Sequence, residues 1–349
     1  MSANGFTMPA EWEPHERTWM AWPSSGYTLG DSEAQIAEAR TAWSAVANAV
    51  VRFEPVSMMC EPDQLDVAKN YLDSRVELVP AALDDAWMRD IGPSFVMTPD
   101  GTIGAVNWVF NGWGAQSWAR WGKDSKVAAR IADLTRSQLI DSWLVNEGGG
   151  FHVNGAGLVL LTETVQRGEG RNPDKSRSEV EAEIHRCLGT SRAIWLDRGL
   201  TRDYDEFGTR GHVDIVACFA NENTVLYHDQ TNPAHPDFAI SALVRATLEE
   251  VGGLTLIPVA APLVLRDEEG WVDYSYINHY IVNGAVILCS FDDPNDAIAK
   301  ALLQEVYPGR EIVLVDARPL FARGGGIHCI TQQQPRMRPR QESNLRPRD

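Results

Sequence analysis

Long apolar runs are missing from this sequence: none approaches the about 18 residues of a membrane-spanning helix. Low-complexity blocks are missing too, so the chain reads as folded rather than disordered. No linker is long enough to mark two domains. Cysteine is scarce, at five residues, with no Cys-x-x-Cys pair. That argues against a disulfide framework or a zinc knuckle and fits a reducing, cytoplasmic compartment. The opening MSANGFTMPAEWEPHERTW has neither a basic nor an apolar segment of the signal-peptide kind. Positive charge is also in short supply. Against 48 Asp and Glu stand 31 Lys and Arg, a formal net charge of −17. Such a chain is a poor partner for nucleic acid or an anionic membrane surface. It would attract a small cation, over roughly 8–10 Å at physiological salt. Acidity that merely serves solubility is the alternative.

What is present is a large apolar fraction, 44% of 349 residues, enough for a sizeable core. A cycle recurs along it: helix, short apolar strand, polar motif, strand, turn, strand. Helical spacing at 64–72 leads to a strand at 76–80 and then Trp87-Met88-Arg89-Asp90. A strand at 143–145 leads to Glu147 and Gly148–Gly150. Helices at 178–188, 238–251 and 295–306 precede strands at 193–196, 254–259 and 312–315. The motifs that follow are His212-Val213-Asp214, Asn278-His279-Tyr280 and Gly324–Cys329. A further helix is expected over about 32–53, and hairpin turns at Pro99–Gly101, Asn154-Gly155 and Asn283-Gly284. The motifs return every 50 to 66 residues. That period predicts α/β units set radially, each giving one piece to a shared centre. A doubly wound sheet is the competing architecture, disfavoured because neither glycine run has a phosphate-binding spacing. Residues 1–335 are expected to form one domain. Residues 336–349, with five Arg and no periodicity, are expected to be a disordered basic tail.

Cys329 follows three glycines, which allow close backbone approach and leave a sulfur facing a cleft. A buried structural thiol is the competing reading, and it is the one adopted for Cys60, Cys187, Cys218 and Cys289. On a strand, His212 and Asp214 would share a face, setting a general acid/base beside a cation-binding carboxylate. A metal site completed by His152, His279 or His328 is an alternative, as is a structural role. Asp90 could hold a guanidinium by paired hydrogen bonds, with Trp87 stacked on it. Against this stands a surface Arg89–Asp90 pair of little energetic weight. Glu147, or else Glu163, could orient a histidine; a solvated glutamate is the competing reading for each.

Together the segments MPAEWEPHERTWMAWP, DDAWMRDIGPSFV, NEGGGFHVNGAGLVLLTE, GHVDIVACF, SFDDPNDA and GGGIHCITQQQP resemble the agmatine deiminases. These belong to the guanidine-modifying enzymes, with the arginine and peptidylarginine deiminases. The resemblance runs from about Met8 to Pro335 and implies a five-fold pseudosymmetric α/β propeller of ββαβ-type modules. It implies that Asp90 and Asp214 grip the guanidinium, that Cys329 attacks its carbon, that His212 moves protons and that Glu147 holds His212. It implies no metal or organic cofactor, a small cationic guanidinium substrate, and by analogy a homo-oligomer. One stretch departs from the agmatine-type pattern: Phe207-Gly208-Thr209-Arg210-Gly211 has no acid at Gly208 and places Arg210 near the site. An arginine there would suit a substrate bearing a carboxylate, so arginine or another guanidino acid is the runner-up. Asp203, Asp205 and Glu206 lie just upstream and could stand in for the missing acid.

Overall fold

The computed structural model describes residues 5–336. The predicted basic tail lies outside the described residues, apart from Arg336.

Strand β1 (His15–Ala21) opens the chain, followed by the helix Glu33–Val50, β2 (Val56–Cys60) and β3 (Glu77–Pro80). Ser32 and Gln35 close that helix's N-terminus by a reciprocal capping box, and its buried stripe includes Trp43, Val46 and Val50. Next come β4 (Ser94–Met97), β5 (Ile103–Val109), the helix Val127–Thr135 and β6 (Gln138–Val145). The following unit is β7 (Phe151–Val153), β8 (Leu158–Thr162), the helix Arg177–Leu188 and β9 (Arg192–Leu196). Then follow β10 (Ala217–Asn221), β11 (Thr224–Asp229), the helix Asp237–Val251 and β12 (Thr255–Ala260). A two-stranded ribbon, β13 (Arg266–Asp267) and β14 (Gly270–Trp271), precedes β15 (Tyr280–Val282), β16 (Ala285–Ser290), the helix Asn295–Val306 and β17 (Glu311–Asp316). The final strand is β18 (Gln332–Pro335).

One pattern repeats: an antiparallel hairpin, a crossover helix, then a strand parallel to the hairpin's second strand. It holds for β4-β5-β6, β7-β8-β9, β10-β11-β12 and β15-β16-β17. The remaining unit is assembled from both ends of the chain, because β18 pairs antiparallel with β1 and β1 runs parallel to β2. Parallel strands need such crossovers, and covering by a helix explains their continuous apolar runs, such as the fully buried Val286–Cys289. Among the described residues no helix is long and apolar enough to cross a membrane.

The predicted elements match closely at 33–50, 177–188, 237–251 and 295–306. The helix expected over 64–72 is shorter, a 3₁₀ turn at Pro62–Gln64 running into Leu65–Ala68. The strand expected through His212–Asp214 is absent; Val213–Ile215 is a single 3₁₀ turn. The cause is Asp203, whose carboxylate accepts the backbone N–H groups of Thr209, Gly211 and His212 at 2.6, 2.6 and 3.0 Å. Donors spent on a side chain cannot enter a ladder.

Candidate active site

Each repeating unit carries a short turn immediately before its hairpin. Those turns hold Asp90 (before β4), Glu147 (before β7), His212 and Asp214 (before β10), Asn278 (before β15) and Cys329 (before β18). All are buried, and they meet one another.

The Cys329 sulfur lies 3.6 Å from Asp214 Oδ2. It accepts from Asn278 Nδ2 at 3.3 Å and from the Gly326 N–H at 3.4 Å. Burial, together with the charges of Asp214 and Asp90, pushes its thiol well above the ordinary value. Asp90 is held on both oxygens: Trp113 Nε1 donates to Oδ2 at 2.8 Å and the Gly149 N–H to Oδ1 at 3.0 Å. Burial raises its pKa. His212 Nδ1 lies 4.0 Å from Asp90 Oδ1, and Nε2 lies 3.5 Å from Glu147 Oε2. These are ion pairs by proximity, since among the described residues neither ring nitrogen has a hydrogen-bond partner. Burial would lower the His212 pKa, but Asp90, Glu147 and Asp214 outweigh it and raise it to about 9. Arg171 clasps Glu147, and this with His212 overcomes burial and lowers the Glu147 pKa.

Asp214 Oδ1 is also buried without a partner among the described residues. Buried polar atoms are normally paired, so an unpaired carboxylate oxygen beside an unpaired imidazolium marks a place where a ligand completes the bonding. The arrangement offers a nucleophile, two carboxylates for a planar cation and a proton donor.

A family model described as Porphyromonas-type peptidyl-arginine deiminase matches residues 7–335. The chain belongs to that family. A Streptomyces coelicolor protein provisionally named agmatine deiminase is 57% identical over 337 residues, covering 95% of this chain and 99% of that one. The agmatine deiminase of Ectopseudomonas mendocina is 38% identical, covering 95% and 96%. The solved structure of Enterococcus faecalis agmatine deiminase superposes with a TM-score of 0.88 at 30% identity, again covering 95% and 96%.

Within this deiminase-family site, Cys329, His212, Asp214, Asp90 and Glu147 are brought together. Trp87 is buried beside them, edge-on to Trp43 and against the Gly325 backbone. Other expectations fail. Arg89 and Asp90 are no surface pair: both are buried, and Arg89 donates to Gln333 Oε1 and the His328 carbonyl at 2.8 and 3.3 Å. Glu163 lies outside the centre, paired with Arg167 and Arg177 at 2.5 and 2.7 Å. His212 and Asp214 do not share a metal-like group with a further histidine. Among the described residues that grouping is Glu11, His152 and His328, with ligand atoms within 4.8 Å. Both His328 nitrogens are bonded to carboxylates, and the Phe219 N–H occupies His152 Nδ1 at 3.2 Å.

Glu11, Trp113, Arg171 and Asn278 were not singled out as site residues, and Asp203 entered only as a stand-in for the acid missing at Gly208. Of the first four, only Asn278 had a signal, its place in the repeating motif series.

Arg210 is part-buried with a φ of 72°. Its guanidinium donates to the Tyr204 carbonyl within its own loop. Gly208 has no room for a side chain, because a Cβ would lie 2.2 Å from the Asp203 carbonyl oxygen. Beside this loop is a cavity of about 30 Å³ lined by residues including Asp203, Glu206, Glu269, Asp273 and Tyr27. Among the described residues the one cation on its wall, Arg202, is paired with Asp267 and Glu269 at 2.5 and 2.6 Å. Burial raises the Asp273 pKa to about 7, and its Oδ1 has no partner among the described residues.

Proposed function

We propose that this chain is an agmatine deiminase, converting agmatine and water to N-carbamoylputrescine and ammonia. Membership of a deiminase family makes it an enzyme of guanidinium hydrolysis. The observation that carries the reaction is the Cys329 sulfur 3.6 Å from the Asp214 carboxylate, in one buried cluster with Asp90 and His212.

A guanidinium is a poor electrophile while its charge is spread over three nitrogens. Asp90 and Asp214 hold its N–H groups and offset its desolvation. Its positive charge in turn relieves the two carboxylates that oppose ionisation of Cys329, so substrate and thiolate stabilise each other. On substrate binding the Cys329 proton passes to solvent, and the thiolate attacks the central carbon. The C–N bond breaks and ammonia leaves with the proton from the His212 imidazolium. The resulting thiouronium on Cys329 is hydrolysed when neutral His212 takes a proton from water. The new C–O bond replaces C–S, the adduct's hydroxyl proton goes to the departing sulfur, and the resting thiol and imidazolium are restored.

Agmatine ends in an ammonium, and the carboxylates of Glu206 and Asp273 on the wall of the neighbouring cavity favour that end. Arginine would bring a carboxylate to the same wall. In this reading Arg210 shapes the loop rather than greeting a substrate carboxylate. The five repeating units surround one axis as a propeller with the site at its centre, and residues 1–335 act as a single catalytic body. Five free thiols fit a cytoplasmic setting.

The test is ammonia release from agmatine and from L-arginine in parallel, with Cys329→Ser as control. Release from agmatine that vanishes in the variant is expected. Release from arginine alone would reassign the substrate.

A further inference from the structure

His328 precedes the nucleophile, and its ring bridges Asp214 of that cluster to Glu11 outside it. Its Nδ1 bonds Asp214 Oδ2 at 2.8 Å and its Nε2 bonds Glu11 Oε2 at 2.9 Å. A neutral imidazole has one N–H, and ionised carboxylates only accept. Two such bonds therefore require the imidazolium. Around it stand Glu11, Asp214, Arg89, His152 and His279. Burial and Arg89 oppose its charge; Glu11 and Asp214 prevail and raise the His328 pKa. Burial also opposes ionisation of both carboxylates, yet each is held below its ordinary range, Glu11 chiefly by His328 and Asp214 by His328 and His212.

The frame is rigid. The His328 N–H donates to Asn278 Oδ1 at 3.0 Å, and the Ile281 N–H fixes the other Glu11 oxygen at 2.8 Å. The consequence falls on Asp214. Its Oδ2, the oxygen nearest the sulfur, is engaged by a cation, and its Oδ1 is left unpartnered.

We propose that Glu11 and His328 are a positioning pair that turns Asp214 Oδ1 toward the substrate and offsets the Oδ2 charge facing Cys329. This rests on the guanidinium reading of the site. Glu11 touches no reacting atom, yet it sets whether His328 keeps both protons.

The experiment uses the full chain. In ¹⁵N-histidine spectra, with the His328→Gln variant assigning the signal, His328 is expected to carry both ring protons at pH 8. Glu11→Gln should lower kcat/KM for agmatine by roughly 10- to 100-fold, the weight of a hydrogen bond to a charged group. It should also add a basic limb near neutrality, as His328 loses its counter-charge. Glu11→Gln combined with His328→Gln should be no worse than His328→Gln alone. A neutral His328 at pH 8, or a Glu11→Gln enzyme with the wild-type pH profile, overturns the proposal. If Glu11→Gln fails to fold, the wild-type spectrum still decides it. A wild-type chain inert on every guanidinium compound would instead sink the assigned reaction.

Discussion

Glu147 Oε2 lies 3.5 Å from His212 Nε2, while Arg171 Nε meets both Glu147 oxygens at 3.0 and 3.1 Å. One buried carboxylate is shared between two cations. Arg171 also donates to the Thr209 carbonyl at 2.7 Å, tying Glu147 to the loop that carries His212. Glu147 thus lies within ion-pair reach of the imidazolium while, among the described residues, neither ring nitrogen has a hydrogen-bond partner.

The first prediction concerns pH. Loss of the His212 proton removes the acid, so kcat/KM should fall as pH rises through about 9. A profile still flat beyond pH 10.5 would remove His212 from that role. Stability follows with a definite sign. The folded pKa of about 9 exceeds the ordinary 6.5, so the stabilisation is complete below pH 6.5 and is lost as pH rises through 9. Thermal unfolding of His212→Gln should lose less stability across that window than the parent.

Gly149 is a contact, not a hinge. A Cβ there would sit 2.4 Å from His212 Nδ1 and 3.1 Å from Asp90 Oδ1. Gly149→Ala should displace the imidazole and lower kcat by about 100-fold, the scale of an ångström's misplacement. KM and the midpoint of thermal unfolding should change little by comparison. A variant with parental kcat would show that the imidazole position tolerates a shift.

Asp90 and Cys329 give a prediction with opposing signs. The Asp90 charge helps push the Cys329 thiol up. Asp90→Asn should therefore speed alkylation of Cys329 by iodoacetamide at pH 8, followed by mass spectrometry at that residue, while agmatine turnover collapses. Slower alkylation in the variant would mean that Asp90 does not oppose the thiolate.

The regular elements were legible because helical and strand periodicity is local; the helix Asn295–Val306 appears with its expected bounds. The 50–66-residue recurrence located the turns before β4, β7, β10, β15 and β18, and with them Asp90, Glu147, His212, Asp214 and Cys329. What failed depended on contacts distant in sequence. His212 and Asp214 were read as strand because nothing local reveals that Asp203 gathers the intervening N–H groups. Glu11 meets His328 across 317 residues, and Arg171 meets Glu147 across 24, with no spacing rule to announce either. The absent acid at Gly208 looked like a change of substrate. The loop is crowded there, with a Cβ at Gly208 falling 2.2 Å from the Asp203 carbonyl oxygen, and the upstream Asp203 and Glu206 line the neighbouring cavity.

Asp273 offers the sharpest test of the substrate. Its carboxyl is buried, burial first and Asp203 second raise its pKa to about 7, and Oδ1 has no protein partner. A carboxylate whose folded pKa is raised costs stability as pH rises from its ordinary 3.8 to about 7. The fold therefore keeps at neutral pH a group that works against it, as a binding site does when its ligand is a cation. Asp273→Asn should raise the KM for agmatine by about tenfold, the scale of one charge-assisted contact, and leave any turnover of arginine no lower than the parent's. The same variant should unfold at a higher temperature than the parent at pH 8, because the uncompensated charge is gone. Higher stability with weaker agmatine binding is the signature of an ammonium site. Lower stability with unchanged KM would make Asp273 a structural residue and return the question of the substrate's far end to Arg210.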